Sequence, residues 1–245
     1  MSLPVAILAG GMATRLRPLT DRVPKSLLDV AGKPFAVRQI ELLRKHGFKE
    51  IVFCLGYLGD EVQACLGDGS RWGVKLDYVF DGAQPLGTGG ALRKALALLG
   101  EAFVVLYGDS YLECDYEAVV HAYEVSGKDG LMTVFRNAGQ WDRSNVFFQG
   151  GCIQRYDKQL ALPEMEHIDY GLGVLRSSAL KAYPTDNSLD LAKVYQDLLA
   201  RNELAGFEVE QRFYEIGSPA GLEETRKYFS RERCDHDDLH ATPSG

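Results

Sequence analysis

Two arginines just beyond a glycine pair are the first residues of this chain whose types and spacing could do chemistry. The stretch Ala9-Gly10-Gly11-Met12-Ala13-Thr14-Arg15-Leu16-Arg17-Pro18-Leu19-Thr20 follows an apolar run at 5–8. Glycines let backbone N–H groups approach phosphate oxygens, and a guanidinium adds the planar fork that matches them. The combination suits a polyphosphate. No Gly-Lys-Ser/Thr follows and the glycines are not spaced Gly-x-Gly-x-x-Gly, so neither a P-loop nor a dinucleotide fingerprint is present. A bare Gly-Gly pair more often makes a plain strand-to-helix turn, and Arg15 and Arg17 bring the two readings level. Lys25, beside the rigid Pro24, adds a cation ten residues after Arg15; alone it would read as a solvated charge.

Two later turns carry similar potential. Pro85-Leu86-Gly87-Thr88-Gly89-Gly90-Ala91 reads as a glycine-rich turn before a helix, where backbone N–H groups can meet a base or ribose edge or simply start the helix. Tyr107-Gly108-Asp109-Ser110 ends an apolar run at 103–107 and puts a carboxylate on a tight turn, either facing a ligand crevice or shaping the turn. The histidines at 46, 121, 167, 236 and 240 have no nucleophile spaced to suit them, so hydrolysis by a Ser-His-Asp arrangement is not indicated.

The elements that must hold these residues alternate. Strand-like runs at 5–8, 51–55, 75–80 and 103–107 are separated by helical patterns at 36–46, 60–66 and 91–99, the order of a mostly parallel sheet with crossover helices. A helix at 116–123 and strands at 131–135, 145–148, 152–156 and 171–175 follow, then helices at 189–200 and 220–229. The fold class is α/β: one Rossmann-like domain over 1–230 with a mixed, mostly parallel central sheet flanked by helices. Residues 231–245 are polar and aperiodic and read as a loosely held tail.

Composition narrows the function. The 245 residues, 46% of them hydrophobic and 25% charged, describe a folded globular chain, and a net charge of −7 opposes binding to a nucleic acid backbone. Five scattered cysteines suggest neither a disulfide framework nor a zinc cluster. No run reaches the roughly 18 apolar residues of a membrane span. A cytoplasmic location without membrane or nucleic acid partners is expected, and association with further copies of the chain stays open.

The motif L-A-G-G-x-x-T-R-L-x-P-L-T at 8–20, with Pro-Lys at 24–25 and Gly-Lys-Pro at 32–34, resembles the amino-terminal signature of the sugar-1-phosphate nucleotidylyltransferases, and the resemblance runs from about residue 4 to about 229. It implies an enzyme that joins a nucleoside triphosphate to a sugar 1-phosphate with release of pyrophosphate. Ala9, Gly10, Gly11, Thr14 and Arg15 match the triphosphate loop, and Lys25 matches the lysine near the reacting phosphate. Gly87 and Thr88 match the segment bordering the base; its L-G-T-G-G form is most similar to guanylyltransferases acting on mannose-type or heptose 1-phosphates, which favours GTP over UTP, CTP or dTTP. Asp109 matches a Mg²⁺-binding aspartate, and Glu215 stands in place of its usual aspartate partner. Asp157 and Lys158 match a glutamate-lysine pair at the sugar phosphate, and Asp169-Tyr170-Gly171 matches an Asn-Ala-Gly stretch beside the sugar. Ala13 replaces a usual glycine, so the loop is either hindered from positive φ there or needs none. These departures leave room for a catalytically silent regulatory subunit that binds nucleotide sugars, and the sheet leaves room for a dinucleotide-binding oxidoreductase.

Overall fold

The computed structural model describes residues 3–160, 162–184 and 188–240. The chain opens with β1 (Val5–Ala9), a small hairpin of β2 (Asp29–Val30) and β3 (Lys33–Pro34), α1 (Phe35–Lys45), β4 (Glu50–Leu55), α2 (Gly59–Leu66), β5 (Lys75–Phe80), α3 (Gly87–Leu99) and β6 (Ala102–Tyr107). Then come β7 (Ser110–Leu112), α4 (Tyr116–Ser126), β8 (Gly130–Arg136), β9 (Val146–Gln149), β10 (Cys152–Tyr156) and β11 (His167–Arg176). The last elements are α5 (Ser178–Lys181), α6 (Leu191–Ala200), β12 (Leu204–Val209), β13 (Phe213–Glu215) and α7 (Pro219–His240).

The expected mixed sheet is present. Nine strands run in the order β10-β9-β11-β6-β1-β4-β5, with β8 paired to β11 and β12 paired to β8. The strands β6, β1, β4 and β5 are parallel, whereas β11 runs antiparallel to both β6 and β8. Side chains alternate faces along a strand, and that alternation divides the core in two. Val5, Ile7, Ile51, Phe53 and Leu106 face α1, α2, α4 and α7, while Ala6, Val52, Cys54, Phe103 and Val105 face α3, α5 and α6. Both faces are covered, which is why the parallel strands read as unbroken apolar runs. Among the described residues no helix is long and apolar enough to cross a membrane.

Besides the unread hairpin of β2 and β3 and the unread strand β12, three features depart from the sequence reading. Helix α3 begins at Gly87, so the glycine run is its first turn rather than a loop ahead of it. Helix α7 continues to His240, across most of the stretch read as a tail, because extending a nucleated helix needs no apolar periodicity; 241–245 lie outside the described residues. The ribbon formed by β7 and β13 was not read at all: Ser110 lies opposite Glu215 and Leu112 opposite Phe213. Pairings between strands a hundred residues apart leave no local signature.

Candidate active site

The site lies at the carboxyl ends of β1 and β6. Glycine permits the close approaches there: a Cβ on Gly108 would come within 2.6 Å of the Leu8 carbonyl, and one on Gly56 would overlap the Gly10 carbonyl. At Gly11, by contrast, a Cβ would meet nothing within 4 Å, so this backbone faces open space. Ala13 adopts φ 48° and ψ 40°, so alanine does not keep the position out of the left-handed region. Its carbonyl accepts the Leu16 N–H at 3.1 Å and the Thr20 hydroxyl at 2.9 Å, and Leu16 is buried beneath the turn. These contacts offset a left-handed penalty of about 1–2 kcal/mol.

Asp109 caps the turn between β6 and β7, and the β7–β13 ribbon brings Glu215 alongside it. Lys25, on a short turn after Pro24, donates to Asp109 Oδ2 at 2.7 Å, with both side chains largely but not fully buried. The Glu215 carboxylate accepts the Ser218 hydroxyl at 2.6 Å and the Gly217 N–H at the start of α7. A Cβ on Gly217 would lie 2.8 Å from Glu215 Oε2, 3.1 Å from Asp109 Oδ2 and 3.4 Å from Arg15 Nη2. Two carboxylates and a guanidinium from three remote segments therefore converge on one point that glycine keeps clear. Among the described residues no group of three or more His, Cys, Asp or Glu side chains could hold a metal. The pair is nevertheless a hard-oxygen donor set of the kind Mg²⁺ uses when water and phosphate oxygens complete its shell.

A cleft of about 760 Å³ includes this point, and its lining combines Arg15, Asp109 and Glu215 with Trp141, Arg143 and Lys158. Lys158 lies 3.6 Å from Asp190 and 5.8 Å from the centre of the Tyr107 ring. Asp169 lines the cleft but works as an anchor: its Oδ2 accepts the Tyr107 hydroxyl at 2.9 Å and the Tyr156 hydroxyl at 3.1 Å, and its Oδ1 accepts the Gly171 N–H at 3.1 Å. Burial pushes this carboxyl above its usual range, while Lys158 and the donated hydrogen bonds pull the other way. Gly171 has φ 92°, and a Cβ there would sit 3.0 Å from the Tyr107 ring.

Other sequence-predicted residues fall elsewhere. Asp157 turns away into its own loop, where the Leu160 and Gln159 N–H groups hold its exposed carboxyl below the usual range. Gly87 and Thr88 do not line the cleft. The Thr88 hydroxyl donates to Asp190 and accepts the Leu191 N–H at 2.8 Å, while the Gly89 and Gly90 N–H groups donate to the Leu189 carbonyl at 2.8 and 3.0 Å. Those donors are occupied by the segment leading into α6. Of the first loop, Arg15 alone reaches the cleft wall; Gly10, Gly11 and Thr14 stand outside it.

The sequence reading missed the aromatic wall. Trp141 packs against Phe135 and Phe213, and the Arg212 guanidinium lies 4.6 Å from its ring centre while pairing with both Glu224 oxygens at 2.9 Å. It also missed Gln39, a fully buried amide on α1 that bonds the turn carrying Asp109. A single polar residue within the apolar stripe of a helix was the available signal.

Residues 5–145 match the nucleotidyl transferase family. An N-acetylmuramate alpha-1-phosphate uridylyltransferase of Neisseria meningitidis is 45% identical over 46% of this chain and 49% of its own length. Mannose-1-phosphate guanyltransferase beta-A of Xenopus laevis is 28% identical over 97% of this chain and 68% of its own. The chain thus spans about half of the first relative and about two thirds of the second. The crystal structure of HddC from Yersinia pseudotuberculosis superposes with a TM-score of 0.78 at 26% identity, covering 93% of this chain and all of that one. The same protein has been solved in complex with GMP-PN.

Proposed function

This chain belongs to the nucleotidyl transferase family, and from that premise we propose that it transfers a nucleoside monophosphate from a nucleoside triphosphate to a sugar 1-phosphate. The observation that carries the reading is the convergence of Arg15, Asp109 and Glu215 on the Gly217 position, with Lys25 on Asp109. An acceptor phosphate oxygen attacks the α-phosphorus, the bond to the bridging oxygen breaks, and pyrophosphate leaves with the electron pair. No proton has to move, so no nucleophile or general base is required from the protein. The barrier is the approach of one anion to another, which makes catalysis electrostatic and positional.

Arg15 would offset charge on the leaving phosphates, and Lys25 would serve the α-phosphate once released from Asp109. Lys158 would offer a cation to the acceptor phosphate, and Tyr107, held by Asp169, lines the same cleft. A Mg²⁺ ion held by Asp109 and Glu215 would supply the charge neutralisation that two carboxylates cannot. The same reading places the enzyme in the cytoplasm, where nucleoside triphosphates are available.

For the donor we propose GTP, and for the acceptor a mannose-type hexose or heptose 1-phosphate. The L-G-T-G-G form at 86–90, the guanyltransferase aligned along 97% of the chain and the GMP-PN complex of a full-length structural neighbour support that choice. A second reading, uridylyl transfer, is favoured by the 45% identity to the Neisseria enzyme. Pyrophosphate release from four triphosphates against a panel of sugar 1-phosphates, N-acetylmuramate 1-phosphate included, decides between them. GTP with a mannose-type acceptor is the expected best pair. A tenfold preference for UTP, CTP or dTTP across the panel overturns the base assignment, and release with no pair leaves the silent-subunit reading in its place.

A further inference from the structure

We propose that Gln39 is a positioning residue that holds Asp109 in its metal-binding geometry. The inference rests on the reading of Asp109 as a metal ligand. Helix α1 buries Phe35, Ala36, Ile40 and Leu43 completely against the sheet, and Gln39 is as fully buried as they are. A buried amide is costly unless its donors are used. Both are: Gln39 Nε2 donates to the Tyr107 carbonyl at 3.0 Å and to the Ser110 carbonyl at 2.8 Å.

Those two carbonyls straddle Asp109. The remaining backbone contacts of the turn run elsewhere: the Gly108 N–H donates to the Leu8 carbonyl at 2.9 Å, and the Asp109 carbonyl accepts the Ile216 N–H at 2.9 Å. One side chain therefore clamps the turn from below at both ends, while β1 and the segment after β13 hold it from the sides. Gln39 Oε1 accepts no hydrogen bond from any described residue, so the amide is turned by its donors alone. The turn must stay put because Asp109 is drawn toward Lys25 on one side and shares the space before Gly217 with Glu215 on the other. A carboxylate between such neighbours keeps a coordinating orientation only if its backbone cannot rock.

The test compares Gln39→Met, which preserves bulk and removes both donors, with Gln39→Asn, which draws the amide back by one bond of about 1.5 Å so that it cannot span both carbonyls. Ile40→Val, at a fully buried neighbour whose side chain has no hydrogen-bonding group to offer the turn, is the control for general loosening of α1. Three readouts are taken: Mn²⁺ affinity of the ligand-free protein by electron paramagnetic resonance, the Mg²⁺ dependence of pyrophosphate release, and Tm. We expect Gln39→Met to weaken Mn²⁺ binding fivefold or more and lower kcat at least tenfold, with both substrate KM values within twofold. Gln39→Asn falls between that variant and wild type, and Ile40→Val changes neither affinity nor kcat. Equal Mn²⁺ affinities in Gln39→Asn and wild type overturn the inference, even if Gln39→Met fails to fold. Should the wild-type protein release no pyrophosphate from any substrate pair, the proposed function falls, and the Mn²⁺ comparison still tests Gln39 separately.

Discussion

Two glycine-rich segments follow strands of the parallel sheet, one after β1 and one opening α3, and their backbone groups meet different surroundings. Around Gly11 there is open space, and Arg15 reaches from that loop to the carboxylates. At 87–90 the glycines receive the chain itself: Leu189 presses its carbonyl against Gly87, Gly89 and Gly90, and Asp190 and Leu191 close on the Thr88 hydroxyl. Glycine makes a backbone approachable, and whatever arrives from far along the sequence decides the use. At Gly11 of the first loop nothing arrives within 4 Å, and in the second segment it is a loop a hundred residues away.

The largest effect is expected from removing cations from the first loop and its neighbour. Arg15→Ala and Lys25→Ala should each lower turnover by orders of magnitude, since a charge-assisted contact to a developing charge contributes about 3 kcal/mol. Tm should hold, because neither side chain supports the core. Lys25→Ala should also tighten Mn²⁺ binding, as it removes the ammonium that sits 2.7 Å from Asp109. Near-normal turnover in both variants would remove the open loop from the chemistry and with it the contrast.

Next in size comes Glu215, where a metal role and a structural role overlap. Glu215→Ala should cost tenfold or more in kcat at saturating Mg²⁺, and Glu215→Asp should restore little, its carboxylate falling short by about one bond length, roughly 1.5 Å. The Ser218 hydroxyl and Gly217 N–H held by this carboxylate raise the alternative that it merely ties down the start of α7. Ser218→Ala separates the two, because it loosens the tie and leaves the carboxylate. Turnover within threefold of wild type in Ser218→Ala and a large loss in Glu215→Ala support the ligand role; equal losses refute it.

How much of this was legible depends on how local each contact is. Asp109 could be read from a Gly-Asp turn ending an apolar strand, and the parallel strands from unbroken runs covered on both faces. Glu215 was reachable only through the family resemblance, because nothing near 213–215 announces a partner at 110–112. The contacts of Thr88 were hidden for the same reason in reverse: its sequence setting is that of a ligand-binding turn, and the residues that its hydroxyl meets, Asp190 and Leu191, are invisible from there. Gln39 was readable as an anomaly in a helix stripe but not as a contact to Tyr107 and Ser110.

The same substitution should act differently in the two segments. Gly89→Ala should destabilise by about 1–3 kcal/mol, since its Cβ would fall 2.8 Å from Leu189 Cγ in a packed contact. By denaturant titration the midpoint should drop, with turnover per folded molecule little changed. Gly11→Ala should do the opposite, leaving the midpoint unmoved while the KM for the triphosphate rises several-fold. If Gly89→Ala instead raised that KM at unchanged stability, the second segment would be a ligand turn after all.

The smallest effect is expected at Ala13, where the first loop carries its own strain. Alanine at φ 48° pays a left-handed penalty that glycine avoids, about 1–2 kcal/mol. Glycine in turn gives the unfolded chain more freedom, which takes back about 0.4–1 kcal/mol. The balance favours Ala13→Gly by about 0–1.6 kcal/mol, or a Tm rise of at most about 6 °C for a domain of this size. Turnover should stay within twofold, because the Thr20 hydroxyl and the Leu16 N–H hold the Ala13 carbonyl whichever residue supplies it. A fall in Tm would mean that position 13 is not left-handed in solution, and the open loop would then owe its shape to something other than the turn that sets Arg15 toward Asp109 and Glu215.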